Sequence, residues 1–244
     1  ERLLIAGAFL LYLALVPMAR TTVVSPEFHV AVFWVPVAVF VALVARLPIR
    51  WLPAIVGAQA LAEFVGIQAF EGVPLDSTPL WVVATTAEAV LLGLALKAVG
   101  ATELRRLVDL VKFTVTSVVV VLLTATLGGL AVTTSFGGSW FDNFFAWWLG
   151  DVSGILIVAP ILLAFRRPSS FRWARVLEYA ATAAVTILIA VWVFLTSTPL
   201  DGVPYRVALL VPLLAWIAIR FGISAAGVVA AITVTVGAVA ATQN

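Results

Sequence analysis

The stretch WWLGDVSGILIVAP, residues 147–160, sets a carboxylate, Asp151, inside a run that is otherwise aromatic, aliphatic and glycine. An acid at that depth of a lipid-soluble helix is a functional candidate by default, because ionisable groups are costly in a bilayer. The surrounding chain decides what kind of molecule carries it. Of its 244 residues, 64% are hydrophobic and 11% charged, and apolar runs of about 20 residues recur from end to end, the length that crosses a bilayer as a helix. The reading is an all-α, polytopic integral membrane bundle.

Apolar runs and their punctuation give nine candidate spans: Leu3 to Ala19, Val30 to Ala45, Trp51 to Phe70, Leu80 to Ala98, Val111 to Thr133, Phe141 to Phe165, Val176 to Thr196, Arg206 to Phe221 and Ile223 to Ala241. The last two both approach spanning length; as a re-entrant pair, or with one in the interface, they would make the count eight, and a further span after Asn244 would make it ten. The loops with Arg46 and Arg50, with Lys97, Arg105, Arg106 and Lys112, with Arg166, Arg167, Arg172 and Arg175, and with Arg220 alternate with loops almost free of lysine and arginine. By the positive-inside rule the basic loops, and with them the amino terminus, are cytoplasmic.

So little chain outside the spans leaves no room for a soluble catalytic domain, and a net charge of +2 gives no case for nucleic acid. Cysteine is absent, and the single histidine, His29, has no neighbouring ligand set, so neither a metal nor a cofactor is expected. The sequence shows no serine elbow, phosphate-binding glycine loop or paired metal motif. Enzyme activity is therefore not expected of this chain. Its start at Glu1 and its polar end at Thr242-Gln243-Asn244 read as a piece cut before a final helix and a cytoplasmic output domain.

The sixth span resembles the bacterial membrane-associated sensor domain of the first type, MASE, in Trp147, Trp148, Gly150, Asp151, Gly154 and Pro160. Weaker matches are Trp34 and Pro36, Gly57, and Thr86-Ala87-Glu88-Ala89; Glu63 departs from the pattern, where a small or amide side chain is expected. The resemblance covers nearly the whole chain. It implies a sensory input module in the bacterial inner membrane, homodimeric, whose signal passes in cis to a histidine kinase, a cyclic-dinucleotide enzyme or a PAS relay. The ligand is not implied.

The residues add a candidate site. At 1.5 Å rise per residue Asp151 lies roughly 15 Å below the outer end of its helix, and Glu88 and Glu63 each about 12 Å below the outer face. Three carboxylates share one level. Gln59 lies one turn from Glu63, Thr85 one turn from Glu88, and Trp147 and Trp148 one turn from Asp151, with Trp34 near the outer end of its span. No lysine or arginine occupies that depth, unless Arg20 or Arg206 reaches down from the rim, so the acids hold protons or meet a cation. The expectation is an outward-facing pocket with an acidic floor and aromatic walls, taking a proton or a small cationic or hydrogen-bonding ligand. The plainer reading makes each acid a neutral, hydrogen-bonded glue residue between helices.

Gly150 and Gly154, four apart, form a face that admits close approach of another element, either within the bundle or in a homodimer, and Pro160 loosens the helix below. Trp51, Trp81, Trp140 and Trp173 fall at span boundaries and read as belt anchors. Asp142 and Asn143 read as a helix cap. A transporter is the competing class, since membrane acids also mark ion pathways. No inverted repeat is evident.

Overall fold

A computed structural model describes residues 1–22, 33–70, 72–165, 172–195 and 208–243. Among them are nine α-helices and no strand: α1 Arg2–Thr22, α2 Val37–Arg46, α3 Leu52–Phe70, α4 Thr78–Ala98, α5 Leu107–Phe136, α6 Trp140–Ala164, α7 Trp173–Leu195, α8 Leu210–Phe221 and α9 Ile223–Gln243. They follow the nine apolar runs one for one. The physical reason is that backbone amides have no water to bond in lipid, so each apolar run must satisfy its own hydrogen bonds as a helix.

Seven of these helices are long and apolar enough to cross a membrane. The other two, α2 and α8, have 10 and 12 residues, about 15 and 18 Å at helical rise, roughly half of a 30 Å hydrocarbon core. The second run thus departs from expectation: its helix starts at Val37, because Pro36 stands at its head and residues 33–35 are not helical. A proline disfavours the helical conformation in the residue before it.

The polarity is that of a protein dissolved in lipid. Leu3, Leu10, Leu123, Leu188 and Ile219 are exposed, while Gln59, Glu63, Glu88, Ser117, Thr124 and Asp151 are buried. The apolar exterior meets hydrocarbon and the bundle interior keeps the polar groups.

The chain divides into two compact units, Glu1–Ala159 and Pro160–Asn244, with the boundary inside α6. In the first unit α4 packs against α2, α3 and α5, and α1 against α3 and α2. The short α2 is buried at eight of its ten positions, packed against α4, α1 and α3. Close approach on α4 is made possible by Gly93, where a methyl group would meet the Val44 side chain and the Val41 carbonyl.

In the second unit α7, α8 and α9 pack pairwise. Arg220 donates two hydrogen bonds to the Glu178 carboxylate, at 2.8 and 2.9 Å, and Arg175 donates to the Arg220 carbonyl at 3.0 Å. The Tyr179 hydroxyl donates to the Ala225 carbonyl at 3.1 Å. Gly222, with φ +98°, makes the corner between α8 and α9, a conformation that side chains with a Cβ rarely adopt.

Candidate functional site

The three acids read from the sequence are brought together inside the first unit. Glu63 on α3, Glu88 on α4 and Asp151 on α6 have relative exposures of 1%, 0% and 3%. The Glu88 and Asp151 carboxyl groups stand close enough to interact, the Trp147 side chain is beside both, and Glu63 is near enough to act on Asp151 electrostatically. Two carboxylates only accept hydrogen bonds, so a bond between two carboxyl groups needs a proton on one of them. Glu88 Oε1 and Asp151 Oδ2 meet no hydrogen-bond partner among the described residues.

The remaining partners come from helices that depth alone did not nominate. Thr124 on α5 donates to Glu88 Oε2 at 2.8 Å. Tyr12 on α1, fully buried and edge-on to Phe40 at 5.6 Å, donates its hydroxyl to Glu63 Oε2. Among the described residues neither Glu88 nor Asp151 meets a lysine or arginine. The cluster therefore gathers side chains of five helices, α1, α3, α4, α5 and α6, with hydroxyl donors from Tyr12 and Thr124.

Several expectations about the cluster's neighbours change. Gln59 is buried beside Glu63 in sequence but does not satisfy it; its amide meets no partner among the described residues. Thr85 donates instead to the carbonyl of Trp81 one turn back, at 3.1 Å. Trp148 sends its indole N–H to the Val118 carbonyl on α5 at 3.3 Å, so it ties helices together and does not line the acids. The acids themselves are enclosed in this structure. Arg206 and His29 lie outside the described residues, as does the side chain of Arg20.

Trp147 is held by its surroundings. A methyl group at Gly128 would run into its indole, and Trp81 packs against it with ring centroids 5.2 Å apart. Trp81 is therefore not the boundary anchor its position suggested. It is buried, and its indole N–H donates to Ser135 Oγ at 2.8 Å. Trp140 and Trp173 do stand exposed as the first residues of α6 and α7. Asn143 is no cap: it is buried and its amide donates to Thr133 Oγ1 and the Gly137 carbonyl, both at 3.0 Å, tying the start of α6 to the end of α5.

The glycine pair on α6 receives backbone, not another helix. The Trp34 amide N–H donates to the Gly150 carbonyl at 3.0 Å, and a methyl group at Gly154 would fall on the Trp34 carbonyl. The segment leading into α2 is thus seated on the turn of α6 that carries Asp151. That glycine face is filled within the chain. Pro160 sits inside α6, which continues as helix to Ala164.

No curated protein and no solved structure matches the chain. One family does: the sequence profile of MASE1, membrane-associated sensor domain 1, matches residues 2–244. The chain belongs to that family, whose members are membrane sensor domains found in signalling proteins.

Proposed function

We propose that this MASE1 domain is the sensory input module of a bacterial signalling protein of the inner membrane, and that the Glu63, Glu88 and Asp151 cluster is the element that reads the stimulus. The observation that carries the proposal is the close approach of two buried carboxyl groups, Glu88 and Asp151, which meet no lysine or arginine among the described residues, with Glu63 near enough to act on Asp151. Such a cluster changes its hydrogen bonds when a proton leaves or when a cation replaces it. The stimulus is accordingly protonation from the outer side, or a small cation that reaches the acids when the bundle opens.

Transmission follows from the packing. Asp151 lies next to Gly150, whose carbonyl holds the Trp34 amide, so a rearrangement at Asp151 is felt by the segment that leads into α2. The output receiving it is a cytoplasmic kinase or cyclic-dinucleotide enzyme carried in cis, with the amino terminus inside and the working protein a homodimer.

The test is Asp151→Asn in the full-length protein. An asparagine amide donates to Glu88 without any shared proton, so the bundle is expected to insert and fold while output becomes insensitive to the stimulus. Membrane abundance, output activity across external pH, and solute uptake by vesicles are measured together. Unchanged output in both Asp151→Asn and Glu88→Gln removes the sensing role from the cluster. Loss of solute flux instead places the chain among transporters.

A further inference from the structure

A groove of about 560 Å³ runs between α1 and α3 in the first unit, apart from the acid cluster, and its walls include Arg2, Ile5, Phe9, Trp51, Gly57 and Leu61. Its length is informative. From Trp51 to Leu61 is ten residues, about 15 Å at helical rise, which is the depth of one leaflet of a bilayer with a core of about 30 Å. The groove therefore starts at a membrane surface and stops near the midplane.

Its two ends differ in chemistry. The inner end is aliphatic. The surface end holds Arg2. Arg50, next to Trp51, is largely exposed and stands 4.0 Å from the Glu1 carboxylate, so that charge is partly answered while Arg2 faces the groove. A cation above an apolar channel one leaflet deep complements an anion attached to a hydrocarbon chain.

We propose that the groove is a binding site for an anionic phospholipid, with one acyl chain between α1 and α3 and its phosphate held by Arg2. An apolar chain alone would have no use for the polar end.

Gly57 makes the test selective, because an added side chain there meets no atom within 4 Å and so enters the groove without displacing its walls. The full-length protein is released from membranes, incubated with phosphatidylglycerol or phosphatidylcholine, and analysed by native mass spectrometry. Wild type is expected to retain phosphatidylglycerol about fivefold better than phosphatidylcholine, the contribution of one arginine near a lipid surface. Gly57→Leu is expected to lose the adduct, and Arg2→Gln, at an exposed helix start, to bind both lipids alike. Equal retention of the two lipids by wild type overturns the proposal, as does a Gly57→Leu adduct as stable as that of wild type. Disulfide cross-linking of Leu61→Cys between two copies in phosphatidylglycerol vesicles gives the groove to a second chain and overturns it too.

Discussion

Replacing Gly154 by alanine tests the seat between the Trp34 segment and α6. The added Cβ falls on the Trp34 carbonyl, with the Trp34 carbonyl carbon and the Val35 nitrogen close behind. A clashing side chain can rotate aside; a carbonyl held by its own amide bond to α6 cannot. Overpacking a fitted interior costs about 1–3 kcal/mol. If the segment lifts to make room, the 3.0 Å bond from the Trp34 amide to the Gly150 carbonyl goes with it, and a buried backbone group without a partner costs about 1–3 kcal/mol more. The sum, about 2–6 kcal/mol, is a large part of the roughly 5–15 kcal/mol that holds a typical domain folded. The assay is unfolding by sodium dodecyl sulfate in mixed micelles, followed by tryptophan fluorescence, with Gly57→Ala as control because its methyl group meets nothing within 4 Å. Gly154→Ala is expected to unfold at clearly lower detergent fraction, and Gly57→Ala to match wild type or exceed it slightly through helix propensity. Coincident curves for Gly154→Ala and wild type would refute the seat.

Two hydroxyls that support the acids give further outcomes. Thr124→Val keeps shape but removes the donor to Glu88; a loss of about 1 kcal/mol is expected, in line with hydrogen bonds between membrane helices, and Thr85→Val, which gives up only a bond to its own helix backbone, is expected to lose less in the same titration. Tyr12→Phe removes the donor to Glu63 but keeps the ring against Phe40, so it is expected to cost about 1 kcal/mol and to shift the pH at which the full-length protein's output responds. An output profile identical to wild type would leave Tyr12 a packing residue.

Which parts of this architecture could be read from the sequence follows from the solvent. Lipid forces every apolar run to close its own backbone bonds, so length and hydropathy locate α1 to α9, and rise per residue gives the common level of Glu63, Glu88 and Asp151. Rotation about each helix axis has no such rule. An α-helix repeats every 3.6 residues, and in chains as apolar as Leu107–Phe136 nearly every face looks fit for lipid, so the sequence does not reveal that Thr124 points inward while Leu123 points out. The neighbours one turn away, Gln59 and Thr85, were the natural candidates to satisfy the acids because same-helix spacing is all that a sequence supplies. The true donors, Tyr12 and Thr124, belong to other helices, though each is a polar side chain within an apolar run, a signal of the same kind that singled out Asp151. The glycines at 150 and 154 were legible as a place of close approach. That the visitor is an extended segment was foreshadowed by Pro36, since a chain that cannot be helical before it must find other partners for its amides, and the Trp34 amide finds the Gly150 carbonyl. The same glycine face that would serve a helix dimer is thereby closed, so the proposed homodimer would use another surface. If the proposed homodimer forms, a cross-link between copies placed at Ser153 is expected to fail where one placed on an exposed face of α1 or α7 succeeds, and an efficient Ser153→Cys cross-link would mean that the Trp34 segment leaves α6 in the dimer.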